Sequence, residues 1–138
     1  MAANPSASDA LRKVDLFAGL NGRALDKVAA RTRTVQHPVG KEIAVEGKDG
    51  VGFHLIINGT ADVLVGGAVA RSLGAGDYFG DISLIDGKPR SATVRTTSEA
   101  TTLSLVGWDF APLLDEEPEL TKALLMVMCS RLRAAEAR

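Results

Sequence analysis

The sequence predicts an α+β fold in which a small antiparallel barrel or roll of short strands is flanked by helices. Residues 34–106 alternate short β-branched runs with glycines, a pattern typical of short strands joined by tight turns. Helical patterns of apolar residues precede and follow this segment. The chain has 138 residues, of which 46% are hydrophobic, so it is long enough for one domain with a buried core.

Residues 9–33 are predicted to form the N-terminal helices. Ser8 and Asn21 are suited to cap two short helices, because their side-chain oxygens can accept hydrogen bonds from exposed N–H groups. Pro38 then ends the helical pattern. Residues 1–8 are expected to form a flexible tail without the basic and apolar pattern of a signal peptide.

The central segment, residues 34–106, is predicted to be the β-roll. The dipeptides Asn58-Gly59 and Gly66-Gly67 are typical of tight hairpin turns. The spacing indicates seven or eight strands, with clear runs at Thr34–His37, Glu42–Val45, Phe53–Ile57, Ala61–Val65, Val69–Leu73, Ala92–Thr96 and Thr102–Val106.

Helical patterns return in residues 108–138. We expect one helix over Trp108–Leu114, with Trp108 and Phe110 packing it onto the roll. A second helix is expected from Pro118 to the end of the chain, because proline suits the first helical turn. Its predicted apolar stripe consists of Leu120, Leu124, Val127, Met128 and Leu132.

Composition excludes several classes of function. The net charge of −1 provides no basic field to attract nucleic acid. The single cysteine, Cys129, excludes an internal disulfide and a multi-cysteine zinc site. The longest apolar run, residues 123–129, is far shorter than the ~20 residues that a membrane span needs. We therefore expect a cytoplasmic protein that binds neither nucleic acid nor membrane.

Residues 79–93 carry the chemistry of an anion site. A strand ends at Phe79, Gly80 follows, Asp81 opens a short helix, and Arg90 begins the next strand. Backbone N–H groups, a helix N-terminus and a guanidinium can together bind one phosphate. The Asp81 carboxylate would repel a bare phosphate but can accept hydrogen bonds from sugar hydroxyls. A ligand with both a phosphate and a ribose hydroxyl fits this pair.

Structural roles for the same residues remain open at this point. Arg90 could be a surface arginine at the start of a strand. Asp81 could serve only to cap its helix, since acids are common in the first helical turn. Lys88 is expected to face solvent.

The sequence argues against an enzyme. His37 and His54 are far apart, and neither has a carboxylate at metal-ligand spacing, so a metal-dependent β-barrel enzyme of the cupin type is disfavoured. No serine or cysteine has a histidine partner that would make it a nucleophile. We expect no catalytic cofactor.

The segments FGDISL (residues 79–84) and PRSATV (residues 89–94) resemble the phosphate-binding cassette of cyclic nucleotide-binding domains. Residues 53–63 resemble the third and fourth strands of that family, and residues 73–79 resemble its lead into the cassette. The resemblance covers residues 10–135. It implies a domain over 9–138 with an eight-stranded antiparallel, jelly-roll-like β-roll. It also implies a short helix inside the cassette, and hinge and lid helices at 108–138.

The resemblance implies a role for each cassette residue. Arg90 would bind the exocyclic oxygens of the cyclic phosphate, with backbone donors from Ser83 and Ser91. Asp81 would hold the ribose 2′-hydroxyl, and Val63 would touch the base. The full set of ligand-binding residues implied is Gly80, Asp81, Ile82, Ser83, Arg90, Ser91, Ala92 and Val63.

The implied function is a non-enzymatic cyclic nucleotide sensor, with cAMP as ligand and helices that move on binding. A protein partner or a second copy would bind through the C-terminal helix. The family usually has glutamate where this chain has Asp81, which leaves a degenerate interaction scaffold as an alternative. A cGMP-preferring sensor is a further alternative: in the family, threonine after the cassette arginine tends to accompany cGMP binding, and Ser91 stands there.

Overall fold

The computed structural model describes residues 7–48, 52–88 and 91–137. Its helices are α1 (Ala7–Arg12), α2 (Asp15–Ala18), α3 (Gly22–Ala29), α4 (Asp81–Asp86), α5 (Gly107–Glu116) and α6 (Pro118–Glu136). Its strands are β1 (Arg33–His37), β2 (Glu42–Ala44), β3 (Gly52–Asn58), β4 (Ala61–Val65), β5 (Ala68–Leu73), β6 (Tyr78–Phe79), β7 (Thr93–Thr96) and β8 (Ala100–Val106). The chain divides into a roll unit, residues 31–110, and a helical unit, residues 1–30 and 111–138.

The roll unit consists of two four-stranded antiparallel sheets, ordered β1-β8-β3-β6 and β2-β7-β4-β5. Side chains from both sheets form one buried cluster, because alternate residues of each strand point to the same face. That cluster contains Ala44, Ile56, Ala61, Val63, Leu73, Phe79 and Val94. The predicted antiparallel β-roll with flanking helices is therefore confirmed.

The two predicted hairpins have different outcomes. Gly66 and Gly67 join β4 to β5, which pair with each other as expected. Asn58-Gly59 joins β3 to β4, which lie in different sheets, so the hairpin predicted there is wrong. Gly59 has a φ of 95°, and a Cβ at this position would lie 2.4 Å from the carbonyl oxygen of Glu99. Close approach of two backbone segments, and not a hairpin, requires this glycine.

The N-terminal helices differ from the sequence prediction at one cap. Asn21 caps α3 as predicted, since its side chain accepts a hydrogen bond from the Ala24 N–H at 2.8 Å. Ser8 lies within α1 instead of capping it, and its hydroxyl donates to Asp26 on α3 at 2.6 Å. Ala7 and Ser8 are thus helical and do not belong to the expected tail, whose residues 1–6 lie outside the described residues.

Glu117, immediately before α6, joins that helix to α3. Its carboxylate accepts hydrogen bonds from Arg23 at 2.8 Å and from Lys27 at 2.7 Å. The Glu117 side chain is only 6% exposed, whereas acids are seldom buried unless they are paired. Asn21 also donates to Glu119 in the first turn of α6. These polar contacts fix the start of α6 within the helical unit.

In the C-terminal helices the predicted packing of Trp108 is wrong, and the predicted apolar stripe of α6 is only partly buried. Leu120 and Leu124 of the predicted α6 stripe are buried, but Leu132 is 60% exposed. The stripe is buried in the first turns of α6 and not in the last. Trp108 is 71% exposed, whereas Phe110 is fully buried. Positions two apart on a helix point to opposite sides, so these aromatics do not share one face. Among the described helices, none has the length and apolar character needed to cross a bilayer.

Candidate functional site

The predicted phosphate-binding segment folds as the end of a strand, a short helix and the approach to another strand. Gly80 follows β6 with φ 85° and ψ 10°, and it is the N-cap of α4. Side chains other than hydrogen strain the backbone in this left-handed region. The first helical bond runs from the Leu84 N–H to the Gly80 carbonyl at 3.0 Å. Glycine is therefore required at the point where β6 turns into the helix.

One side of α4 is anchored and the other is exposed. Leu84 is 4% exposed, and α4 contacts β3. Ile82 and Ile85 are 50% and 36% exposed. At the other end of the helix the Gly87 N–H donates to the Ser83 carbonyl at 2.9 Å. The helix is therefore fixed to the roll by Leu84 and closed at both ends by glycines.

The predicted ligand-binding residues that the structure describes are divided between the start of α4 and the core of the roll. Gly80, Asp81 and Ser83 are half-buried and lie in or next to the first turn of α4. Ala92 packs against the buried cluster that contains Val63 and Phe79. The residue expected to touch the base and the strand that leads into the cassette thus share one core.

Other predicted site residues are not drawn into this core. Ser91 is exposed, and the Ile82 side chain is half in solvent. Arg90, to which the sequence assigns the phosphate, and Pro89 lie outside the described residues. The phosphate-binding role of Arg90 stays a prediction.

A polar chain that the sequence did not reveal crosses the sheet β1-β8-β3-β6. His37 Nε2 lies 2.9 Å from Thr102 Oγ1, which lies 3.1 Å from Ser104 Oγ. Ser104 Oγ in turn lies 2.8 Å from His54 Nδ1. The His54 ring stacks on Phe79 with ring centroids 5.1 Å apart. Hydrogen bonds therefore connect β1 to β3, and ring stacking continues the contact to β6.

The expectation that His37 and His54 are far apart is wrong. Their ring centroids are 6.5 Å apart, because β1 and β3 both pair with β8. A signal was present in the sequence, since Thr102 and Ser104 stand at alternate positions of a strand and must share a face. Which histidines would meet them depends on strand order. Within the described parts of the chain, no group of three or more His, Cys, Asp or Glu side chains could hold a metal.

His37 also lines a surface groove of about 400 Å³. Burial lowers the pKa of His37 below its ordinary value of 6.5, and the nearby positive charge of Lys41 lowers it further. His37 is therefore half-buried, borders the groove and belongs to the polar chain. The groove is lined by Gln36, His37, Pro38, Asn58, Glu99, Ala100 and Thr101.

Comparison with known proteins identifies the family. The sequence model of the cyclic nucleotide-binding domain family matches residues 34–117 of this chain. The cAMP-dependent protein kinase regulatory subunit of Emericella nidulans is 35% identical over 106 residues, covering 75% of this chain and 26% of that protein. The chain thus spans about a quarter of the length of this curated relative.

Similarity to solved structures supports the same family. The N-terminal domain of a transcriptional regulator from Streptomyces coelicolor superposes with a TM-score of 0.83 and 28% identity, covering 94% of this chain and 93% of that one. The regulatory domain of Toxoplasma gondii PKA, crystallised with cAMP, superposes with a TM-score of 0.74 and 26% identity, covering 91% of this chain and 49% of that one. With its roll, its cassette helix and the matched sequence, the chain belongs to the cyclic nucleotide-binding domain family.

Proposed function

We propose that this chain is a non-enzymatic cyclic nucleotide sensor whose preferred ligand is cAMP. The observation that carries the proposal is the turn at Gly80, where a left-handed glycine starts α4 and puts Asp81 in its first turn. A glycine here lets a ligand approach the backbone closely. Membership of the family and the cAMP bound to the Toxoplasma gondii relative support the same ligand.

In this proposal different residues of the site bind the phosphate, the ribose and the base of the nucleotide. Arg90 binds the exocyclic phosphate oxygens through paired N–H donors, and the backbone N–H groups of Ser83 and Ser91 add further donors. Asp81 accepts a hydrogen bond from the ribose 2′-hydroxyl beside Gly80. Val63 contacts the base from the roll interior.

The nucleotide preference rests on Ser91. Its hydroxyl can serve either nucleotide, whereas a threonine at this position would favour cGMP by resemblance to the family. We therefore infer that cAMP binds more tightly. Titrations of the same protein with cAMP and with cGMP decide this point, and tighter cGMP binding reverses the preference.

The output of the sensor is proposed to be a movement of residues 108–138. Ligand binding would bias an existing equilibrium between open and closed positions of these helices. The exposed apolar side chains of α6, Leu125, Met126 and Leu132, suit a protein partner or a second copy. Light scattering over a range of protein concentrations, with and without cAMP, tests self-association.

A second candidate function is a scaffold that binds no nucleotide, and Asp81 is the observation that favours it. Aspartate is one methylene shorter than the usual glutamate, so it reaches the ribose less directly. Thermal unfolding separates the two functions, because ligand at 100 times its dissociation constant stabilises a protein by about 2.7 kcal/mol. A melting temperature unchanged by millimolar cAMP and cGMP would support the scaffold.

The decisive experiment for the sensor is calorimetric titration of the Arg90→Ala variant with cAMP. Losing one partner of a buried charge pair typically costs about 2–5 kcal/mol. At about 1.4 kcal/mol per tenfold, the dissociation constant should rise on the order of 30-fold to several thousandfold.

The matched control is Lys88→Ala, which removes one positive charge from an exposed residue two positions away. Its affinity for cAMP should stay close to that of the parent. Equal weakening in both variants would mean that Arg90 acts only as general positive charge, and an unchanged affinity in Arg90→Ala would remove it from the phosphate site.

A further inference from the structure

The three hydrogen bonds of the polar chain His37–Thr102–Ser104–His54 cannot choose their donors independently of one another. Thr102 and Ser104 are 0% and 7% exposed, and each of their hydroxyl oxygens has two partners within this polar chain. A hydroxyl carries one proton, so it donates to one partner while it accepts from the other. The directions of the three hydrogen bonds are therefore correlated.

Protonation of His37 permits only one direction. Both nitrogens of an imidazolium are donors, so Nε2 must donate to Thr102. Thr102 then donates to Ser104, and Ser104 donates to His54 Nδ1, which leaves the proton of neutral His54 on Nε2. Neutral His37 can also accept from Thr102, and the reversed chain leaves the proton of His54 on Nδ1.

The inner end of the chain adjoins the cassette. His54 and Phe79 are register partners on β3 and β6, and their rings stack at an interplanar angle of 25°. Gly80 follows Phe79 directly and starts α4. His54 therefore contacts the residue that directly precedes Gly80, the N-cap of α4.

We propose that these four side chains form a switchable hydrogen-bond relay through which the protonation of His37 adjusts the cassette. The protonated state holds the relay in one direction, and the stack of His54 on Phe79 passes the change to the start of the cassette, so the affinity for cAMP depends on pH. By linkage, bound cAMP in turn shifts the protonation of His37. The effect on cAMP rests on the proposed function, whereas the relay itself does not.

The charged surroundings of His37 suit a titration below neutral pH. Lys41, after the turn that follows β1, opposes protonation. Glu99 is the charged residue among those that line the groove with His37. β8 carries no titratable residue between Ala100 and Val106, and the group facing His37 from β3 is His54.

Nuclear magnetic resonance tests the relay without any ligand. The chain contains two histidines, so long-range ¹H–¹⁵N spectra of the untagged protein report both rings, and His37→Gln assigns them. Between pH 8 and pH 5 the tautomer population of His54 should shift over the same range in which His37 titrates. Thr102→Val should leave the His37 titration in place and abolish the response of His54.

Two further variants provide a substitute for Thr102→Val and a control. Ser104→Ala removes the next hydroxyl of the relay and should also abolish the response of His54. It replaces Thr102→Val in the test if that variant does not fold. Thr101→Val makes the same chemical change on the opposite face of β8 and should leave the response of His54 intact. A His54 tautomer that stays constant while His37 titrates overturns the relay.

Titration with cAMP tests the coupling to the cassette. The affinity of the parent should differ at least about fivefold between pH 5 and pH 8, in the range of typical couplings between sites, and the affinity of Thr102→Val should be nearly flat. Parallel pH profiles in the two proteins overturn the coupling. Absence of cAMP binding at both pH values contradicts the proposed function instead, and the tautomer measurement still decides the relay.

Discussion

Asp81 is the residue on which the ribose half of the proposed site depends. It is half-buried in the first turn of α4, next to the left-handed Gly80. Its carboxylate could stabilise the helix N-terminus, bind a ribose hydroxyl, or do both in turn. A substitution alone does not separate these roles, because Asp81→Ala removes the helix contact as well.

A double-mutant cycle with a modified ligand does separate them. If Asp81 binds the 2′-hydroxyl, 2′-deoxy-cAMP should bind the parent about tenfold more weakly than cAMP, in line with hydrogen bonds to charged groups. In Asp81→Ala the two nucleotides should bind equally. Titration calorimetry measures all four affinities.

The outcome for 2′-deoxy-cAMP decides the role of Asp81. Equal binding of the two nucleotides by the parent would leave Asp81 as a helix cap only. The variant Asp81→Glu restores the usual family residue, and it should bind cAMP at least as tightly as the parent.

At the scale of elements, the contact between α3 and the start of α6 depends on the charge of Glu117. The hydrogen bond from Lys27 is the main cause that holds the pKa of Glu117 below its ordinary value of 4.5, the charges of Arg23 and Lys27 lower it further, and burial opposes them. A carboxyl group whose pKa is lowered by folding stabilises the folded state above its unfolded pKa. That contribution disappears as the pH falls through the folded value.

The helical unit should therefore lose stability on acidification through Glu117. Glu117→Gln should lower the melting temperature near pH 7, where the carboxylate is charged, and the difference from the parent should shrink as the pH is lowered from 5 to 3. Circular dichroism melts over this range provide the measurement. Glu116→Gln, at the exposed neighbouring position, is the control and should change little at either pH. A constant difference between Glu117→Gln and the parent at all pH values would contradict the ionic role.

At the scale of the whole molecule, the proposed output is a movement of the C-terminal helices. Trp108 is the single tryptophan of the chain and lies in the first turn of α5, 71% exposed. Arg31 donates to the carbonyl of its neighbour Asp109 at 3.2 Å. The tryptophan thus stands where the roll passes into the segment that is proposed to move.

The emission of Trp108 should report this movement. Saturating cAMP should change its wavelength maximum or its quenching by iodide, because an exposed indole responds to any new neighbour. In Arg90→Ala the change should be largely lost at the lowest cAMP concentration that saturates the parent. A full calorimetric signal without any change in tryptophan emission or in amide exchange of residues 108–137 would argue against a moving segment.

Local chemistry made much of the fold predictable. Strand runs, the Gly66-Gly67 turn, the Asn21 cap and the short helix that Asp81 opens depend on residues close in the chain, and each was found where the sequence indicated. The predictions that were wrong depend on contacts between residues distant in sequence. Gly59 serves an approach to Glu99, and Trp108 lies outside the core because its face of α5 is exposed.

The sequence by itself determined the roll and the short helix between β6 and β7, because turn glycines, strand periodicity and a contiguous motif are short-range signals. Only the tertiary structure decided which polar side chains meet. The relay joins His37 to Thr102 across 65 positions, and the buried carboxylate of Glu117 meets Arg23 across 94. Such pairs arise from strand order and helix packing, which bring distant residues into hydrogen-bond range.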